Sequence, residues 1–182
     1  RNFGDGTRFQ RLVNDLLRAH LAGRGRIVPF EKPQDGGFDG HFDGDFQGVR
    51  GQFRIQATFQ APSPEQHKKQ VANLTEKVVE EAHRLKTGES HLLFVTNADL
   101  RESEWKELQD AGTEAGIPTI VMPGAEVEGL LRDYPHVAAK YFPDAVCSFV
   151  DIETWLAGTG LDLESEPPLA PRLGSFAGKL LA

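Results

Sequence analysis

The sequence predicts an α/β domain with a mixed central sheet flanked by helices. Three observations carry that prediction. Segments with apolar residues at helical spacing alternate with short β-branched or aromatic runs. A glycine-rich turn joins two alternating segments that pair as a hairpin. Two later runs, 91–96 and 117–122, are continuously apolar and bounded by polar segments, as buried strands are. The resulting order, α-β-β-β-α-β-α-β-α, places helices on both faces of one sheet. A chain of 182 residues holds one such domain with a full core and a short appendage, but not two comfortable domains.

Phe9, Leu12, Val13, Leu16 and Leu17 recur at helical spacing, so residues 7–22 are expected to form an amphipathic helix. Thr7 is its candidate cap, and Gly23 and Gly25 stop it. Residues 26–31 form a short, partly β-branched run that ends before Pro33, which predicts a first strand. After a turn at 34–37, the alternation Phe38, Gly40, Phe42 predicts a second strand, and 43–48 reads as a hairpin connection. Val49, Gly51, Phe53, Ile55 and Ala57 alternate with polar or basic neighbours and make the third strand.

Pro62, Ser63 and Pro64 end that strand and set up a helix over 65–85, whose stripe is Val71, Leu74, Val78, Ala82 and Leu85. Strand 91–96, helix 102–115 and strand 117–122 follow, the last closed by Pro123 and Gly124. Short helices are expected at 125–132 and 137–141. Residues 1–145 are therefore read as the folded domain and 146–182 as an appendage or a linker to a further domain. Within that appendage, 146–156 suit a strand and a short helix, the proline- and acid-rich 164–171 suit a linker, and 176–181 suit the opening of another element. No internal repeat is present, and the chain opens on Arg1 rather than methionine, as a piece of a longer protein would.

Composition removes several classes of function. No apolar run approaches the ~20 residues of a membrane span, and no signal peptide is visible. The single cysteine, Cys147, excludes an internal disulfide and a cysteine-rich zinc site, and fits a cytoplasmic protein. A net charge of −7 argues against a constitutive nucleic-acid coat, because phosphate neutralisation supplies most non-specific affinity. A nuclease remains open, since carboxylates at a metal site add negative charge and basic residues are denser in the first third of the chain. No glycine fingerprint opens a helix and no Ser-His or Cys-His arrangement is evident, so a small-molecule α/β enzyme is the weaker reading.

Chemistry concentrates in residues 35–59. Asp39 sits in a glycine-rich turn entering a strand, and Gln56 to Thr58 close the next strand. Hydrolysing a phosphodiester at neutral pH needs an activated water and neutralisation of the charge that builds on phosphorus oxygens, and a divalent cation held by oxygen ligands supplies both. Ligands on neighbouring strands of a hairpin can meet at one end of a sheet. Of the histidines, His20, His41, His83, His91 and His136 show no metal-ligand spacing, although His41 lies two residues after Asp39 and so on the same strand face.

The succession of helix, strand, DGGFDG turn, strand and hydrophobic-Gln-x-x resembles the PD-(D/E)XK nuclease superfamily, in particular its Mrr-like restriction endonuclease branch. The resembling residues are Phe9-Gln10 on the first helix, Asp35-Gly36-Gly37-Phe38-Asp39-Gly40 in the turn, and Gln56-Ala57-Thr58 at the strand end, within roughly residues 7–142. The resemblance implies a restriction-endonuclease-like αβββαβ core and a Mg²⁺- or Mn²⁺-dependent DNA endonuclease, the effector domain of a restriction or phage-defence protein. It implies Asp39 and Gln56 as catalytic metal ligands, with the Ala57 carbonyl as a further ligand. Gln10 stands where many members have glutamate, and Thr58 stands where they have lysine.

A lysine from the following helix can replace the strand lysine in that superfamily. At about 100° per residue Lys68 lies ~60° from Val71 of the apolar stripe, so Lys68 is expected to lean toward the sheet end and Lys69 to face solvent. His67 also falls on the inward side. The implied partners are DNA, a second copy of the chain for cutting both strands, and a C-terminal sensor or ATPase domain. An alternative stays open beside this reading: the same fold with a degenerate site, kept for protein contacts or for DNA contact without cleavage. In that case Asp39 is a turn residue bonding local amides, Gln56 an edge-strand polar residue and Lys68 a solvated helix-start residue.

Overall fold

A computed structural model of the chain describes residues 6–29, 38–61, 63, 66–85 and 90–142. The order is α1 (Gly6–His20), β1 (Gly25–Pro29), β2 (Gly40–Phe46), β3 (Val49–Thr58), α2 (His67–Arg84), β4 (His91–Thr96), α3 (Glu102–Glu114), β5 (Thr119–Met122), α4 (Gly124–Asp133) and α5 (Pro135–Tyr141). The turn expected at 34–37 and the elements expected beyond Phe142 lie outside the described residues. Among the described residues no helix is long and apolar enough to cross a membrane.

One mixed sheet runs in the order β1-β2-β3-β4-β5. The first three strands are antiparallel neighbours, while β3-β4 and β4-β5 are parallel and joined through α2 and α3. Local chemistry explains the change. A two-residue turn can only reverse the chain, whereas a parallel return needs a crossover long enough to hold a helix. The reversal between β2 and β3 is at Gln47 and Gly48, both with positive φ (51° and 80°), the turn whose twist matches paired strands. It is shorter than the connection expected at 43–48, because β2 continues to Phe46. Phe42 and Phe46 are buried on one face while Asp43 and Asp45 are exposed on the other, a period of two that keeps the strand going.

Apolar side chains fill both faces. On one, α1, α4 and α5 cover Phe42, Phe53, Ile55, Leu93 and Val95; on the other, α2 and α3 cover Leu92, Phe94 and Val121. Each fully buried Leu or Phe here contributes roughly 1.5–3 kcal/mol relative to exposure. Phe38 packs with Val71, Leu74 and Val78 of α2, which draws the entry to β2 under that helix. Asp39 follows directly.

Candidate active site

The last paired residues of β2 and β3 are Gly40 and Ile55, so one further step of the antiparallel register sets Asp39 across from Gln56. The main chain supports that step, with the Asp39 N–H donating to the Ile55 carbonyl at 2.9 Å. At the next position the ladder changes character. The Ala57 N–H donates to Oδ2 of Asp39 at 2.7 Å, so a carboxylate takes the place of a strand carbonyl. From the opposite face of the sheet, Asn14 of α1 donates through Nδ2 to the Asp39 carbonyl at 3.1 Å. Gly40 makes this approach feasible, because a Cβ there would lie 2.8 Å from Asn14 Oδ1.

Two charged residues of α2 act on the same carboxylate. Burial pushes the Asp39 carboxyl up to about 6; the Ala57 N–H and the Lys77 ammonium act against this, and the Glu81 carboxylate adds to it. Glu81 is itself only 2% exposed and its carboxyl is raised by burial, opposed by Arg84 and Lys77. Arg84 Nη1 lies 3.1 Å from Glu81 Oε2 and the same guanidinium reaches Glu80 through Nη2 at 2.6 Å. On the strand side, Gln56 Oε1 and Thr58 Oγ1 are buried and have no hydrogen-bond partner. Buried polar oxygens left without a donor cost free energy, so the pair is an observation about the site as well as about packing.

The residues expected from sequence separate into two groups. Asp39, Gln56 and Ala57 converge at one strand end. The N–H and C=O of a strand residue point to the same side, so the Ala57 carbonyl faces the side on which its N–H meets Asp39. Lys68 differs from them in burial. It is exposed on the first turn of α2, as is Lys69. Nine residues separate Lys68 from Lys77, which sets them about 180° apart around the helix. Thr75, ~20° from Lys68 in phase, borders a groove against Ser103, Lys106 and Ala111 of α3. The flank of α2 that carries Lys68 therefore borders α3.

Gln10 is half-buried on α1, and His67 bonds Glu104 of α3 through Nε2 at 3.0 Å. His41, opposite Arg54 on β2, has its imidazole pKa lowered by burial and by the Arg54 charge. Asn14, Lys77 and Glu81 had a sequence signal only in retrospect: a polar residue inside the apolar stripe of α1, and a carboxylate beside Ala82 on the inward side of α2.

Among the described residues no three His, Cys, Asp or Glu side chains gather into a metal-holding group. Any cation here needs neutral oxygens as well. The Asp39 carboxylate, Gln56 Oε1 and Ala57 carbonyl are hard oxygen donors, the set that suits Mg²⁺ or Mn²⁺ and not a thiophilic metal. The unpartnered, buried Gln56 Oε1 fits such an ion on this structure's own terms. No protein-family model matches the chain, and comparison with curated proteins and with solved structures finds no match.

Proposed function

We propose that this domain is a Mg²⁺- or Mn²⁺-dependent DNA endonuclease with a restriction-endonuclease-like core, acting as the effector part of a restriction or phage-defence protein. The observation that carries the reading is a carboxylate, Asp39, set across from a buried and unpartnered amide oxygen, Gln56 Oε1, at the end of adjacent strands. A bound divalent cation supplies an activated water and neutralises charge on the phosphorus oxygens. This chain's residues do the holding. Asp39 and Gln56 offer side-chain oxygens from two strands, and the Ala57 N–H fixes the Asp39 carboxylate so that its other oxygen stays available. With its carboxyl at about 6, Asp39 is ionised at pH 8 and is increasingly protonated below 6, so cation binding weakens on acidification.

The acidic net charge keeps solution affinity for DNA low, and cutting both strands needs two sites, so assembly of copies through a neighbouring domain raises activity. The test is conversion of supercoiled plasmid at pH 8. Nicking with Mg²⁺ or Mn²⁺, abolished by a chelator and by Asp39→Asn, supports the reading. Cleavage that survives Asp39→Asn removes it.

A second reading is favoured by one specific observation. Thr58 stands at the strand position where a lysine is expected, and its hydroxyl is buried and unpartnered rather than presented to a substrate. A non-cleaving module of the same fold, kept for DNA or protein contact, follows if no metal supports nicking.

A further inference from the structure

We propose that Asn14 is the positioning residue of the Asp39 carboxylate: it pins the Asp39–Gly40 peptide, so that the carboxylate stays on the Ala57 N–H through one oxygen and keeps the other for a cation. The last clause rests on the cation-binding part of the reading above; the rest does not. Asp39 is held on three sides. Its N–H donates to the Ile55 carbonyl at 2.9 Å, its Oδ2 accepts from the Ala57 N–H at 2.7 Å, and its carbonyl accepts from Asn14 Nδ2 at 3.1 Å. The first two partners belong to β3, and the third comes from α1. With the N–H and the C=O of Asp39 both held, its φ and ψ are set, and the direction in which its side chain leaves the main chain follows.

The surroundings of Asn14 show what this bond costs. Asn14 is 7% exposed on the core-facing side of α1, near the buried Val13 and Leu17. Its Oδ1 is buried and has no hydrogen-bond partner among the described residues, so the bond to the Asp39 carbonyl is what its amide does in the fold. A leucine of similar size would bury no unpartnered oxygen of its own, and the N–H donor is the property it lacks. Packing alone therefore favours an apolar residue at this position. Gly40 closes the contact from the other side. A Cβ at Gly40 would lie 2.8 Å from Asn14 Oδ1 and 3.3 Å from Ile55 Cδ1, so the main chain that follows Asp39 lies directly against the amide. Asn14 and Gly40 together bracket the residue that leads into β2.

Two measurements on the full chain test the assignment: Mn²⁺ affinity by calorimetry at pH 8, and hydrogen exchange of the Ala57 amide in chelator, which follows the carboxylate contact without any metal. Asn14→Leu is expected to weaken Mn²⁺ binding by at least about tenfold, as loss of a residue that orients metal ligands commonly does. It is also expected to speed exchange at Ala57 by roughly five- to tenfold beyond any change at the β4 amides, the factor that matches loss of one hydrogen bond. Asn14→Ala takes its place if Asn14→Leu does not fold. Leu74→Ala, which loosens the core on the α2 side of the sheet, is the control for a purely structural loss and should leave Mn²⁺ affinity and the Ala57 difference at the parent's values. Parent-like Mn²⁺ affinity in a folded Asn14 variant overturns the proposal, as does Ala57 exchange that changes only in step with β4. If the parent binds no Mn²⁺, exchange decides. Selective loss of protection at Ala57 then upholds the positioning role and removes the cation reading, and its absence overturns both.

Discussion

Asp39→Asn separates what this carboxylate does for the fold from what it does for a ligand. Its carboxyl is raised from 3.8 to about 6, chiefly by burial, so the folded protein holds that proton more tightly than the unfolded chain. The contribution to stability is therefore fully present below about pH 4 and is lost as pH rises through 6. About two pH units at 1.36 kcal/mol each make the ionised group oppose folding by roughly 3 kcal/mol at pH 8. Asparagine carries no charge and keeps an oxygen for the Ala57 N–H. In chelator, Asp39→Asn should be more stable than the parent by up to ~3 kcal/mol at pH 8 and equal to it near pH 4. For a chain of this size that is a rise of roughly 6–12 °C in Tm. Mn²⁺ should then stabilise the parent alone, by about 2.7 kcal/mol at a hundred times Kd. Thermal and urea melts of both proteins from pH 4 to 8 read all of this. A variant less stable than the parent at pH 8 in chelator would refute the reasoning, because it would mean that the Ala57 N–H and Lys77 outweigh desolvation.

Four further outcomes are expected. Tyr141→Phe removes a 2.6 Å hydrogen bond to Asp15 Oδ2 that ties α5 to α1, and should cost about 1.5–3 kcal/mol in chemical denaturation; a change under half a unit would show that Lys140 alone holds Asp15. Gln47→Asn puts a residue that tolerates positive φ into the β2-β3 turn and should raise stability by ~0.5 kcal/mol. Leu74→Ala opens a cavity between α2 and the sheet and should cost about 2–5 kcal/mol, measured by urea midpoint. Lys68→Ala should alter stability by less than ~0.5 kcal/mol and leave Mn²⁺ affinity at the parent's value, since Lys68 is an exposed cation on the first turn of α2 and offers no oxygen to a metal.

Strand β4 is legible in the sequence because burial on two faces demands an unbroken apolar run, with Leu92 and Phe94 serving one core and Leu93 and Val95 the other. The end of β2 is not. Asp43 and Asp45 look like loop residues until the register sets them beside Arg26 and Arg50 on neighbouring strands, where opposite charges suit a solvated sheet face. Asp39 and the Gln56 strand end could be set on neighbouring strands from sequence, but the connection expected at 43–48 would put Asp39 opposite Gln52, and only the turn at Gln47 and Gly48 puts it opposite Gln56. Lys77 and Glu81 could not be placed, since a helical wheel gives the two flanks of a stripe without saying which neighbour covers each. Here α3 borders the flank of Lys68. Asn14 is hidden for a related reason: its partner, the Asp39 carbonyl, is 25 residues away and belongs to the main chain.

That Asp39 and the Gln56 strand end hold a divalent cation is the claim most open to direct measurement, by anomalous diffraction from crystals of the protein soaked in Mn²⁺. The expected result is one strong peak within roughly 2.0–2.3 Å of a carboxylate oxygen of Asp39 and of Gln56 Oε1, with the Ala57 carbonyl as the next oxygen. Saturating Mn²⁺ that leaves no peak at Asp39, with Gln56 Oε1 bonded instead to a protein donor or an ordered water, would contradict the account.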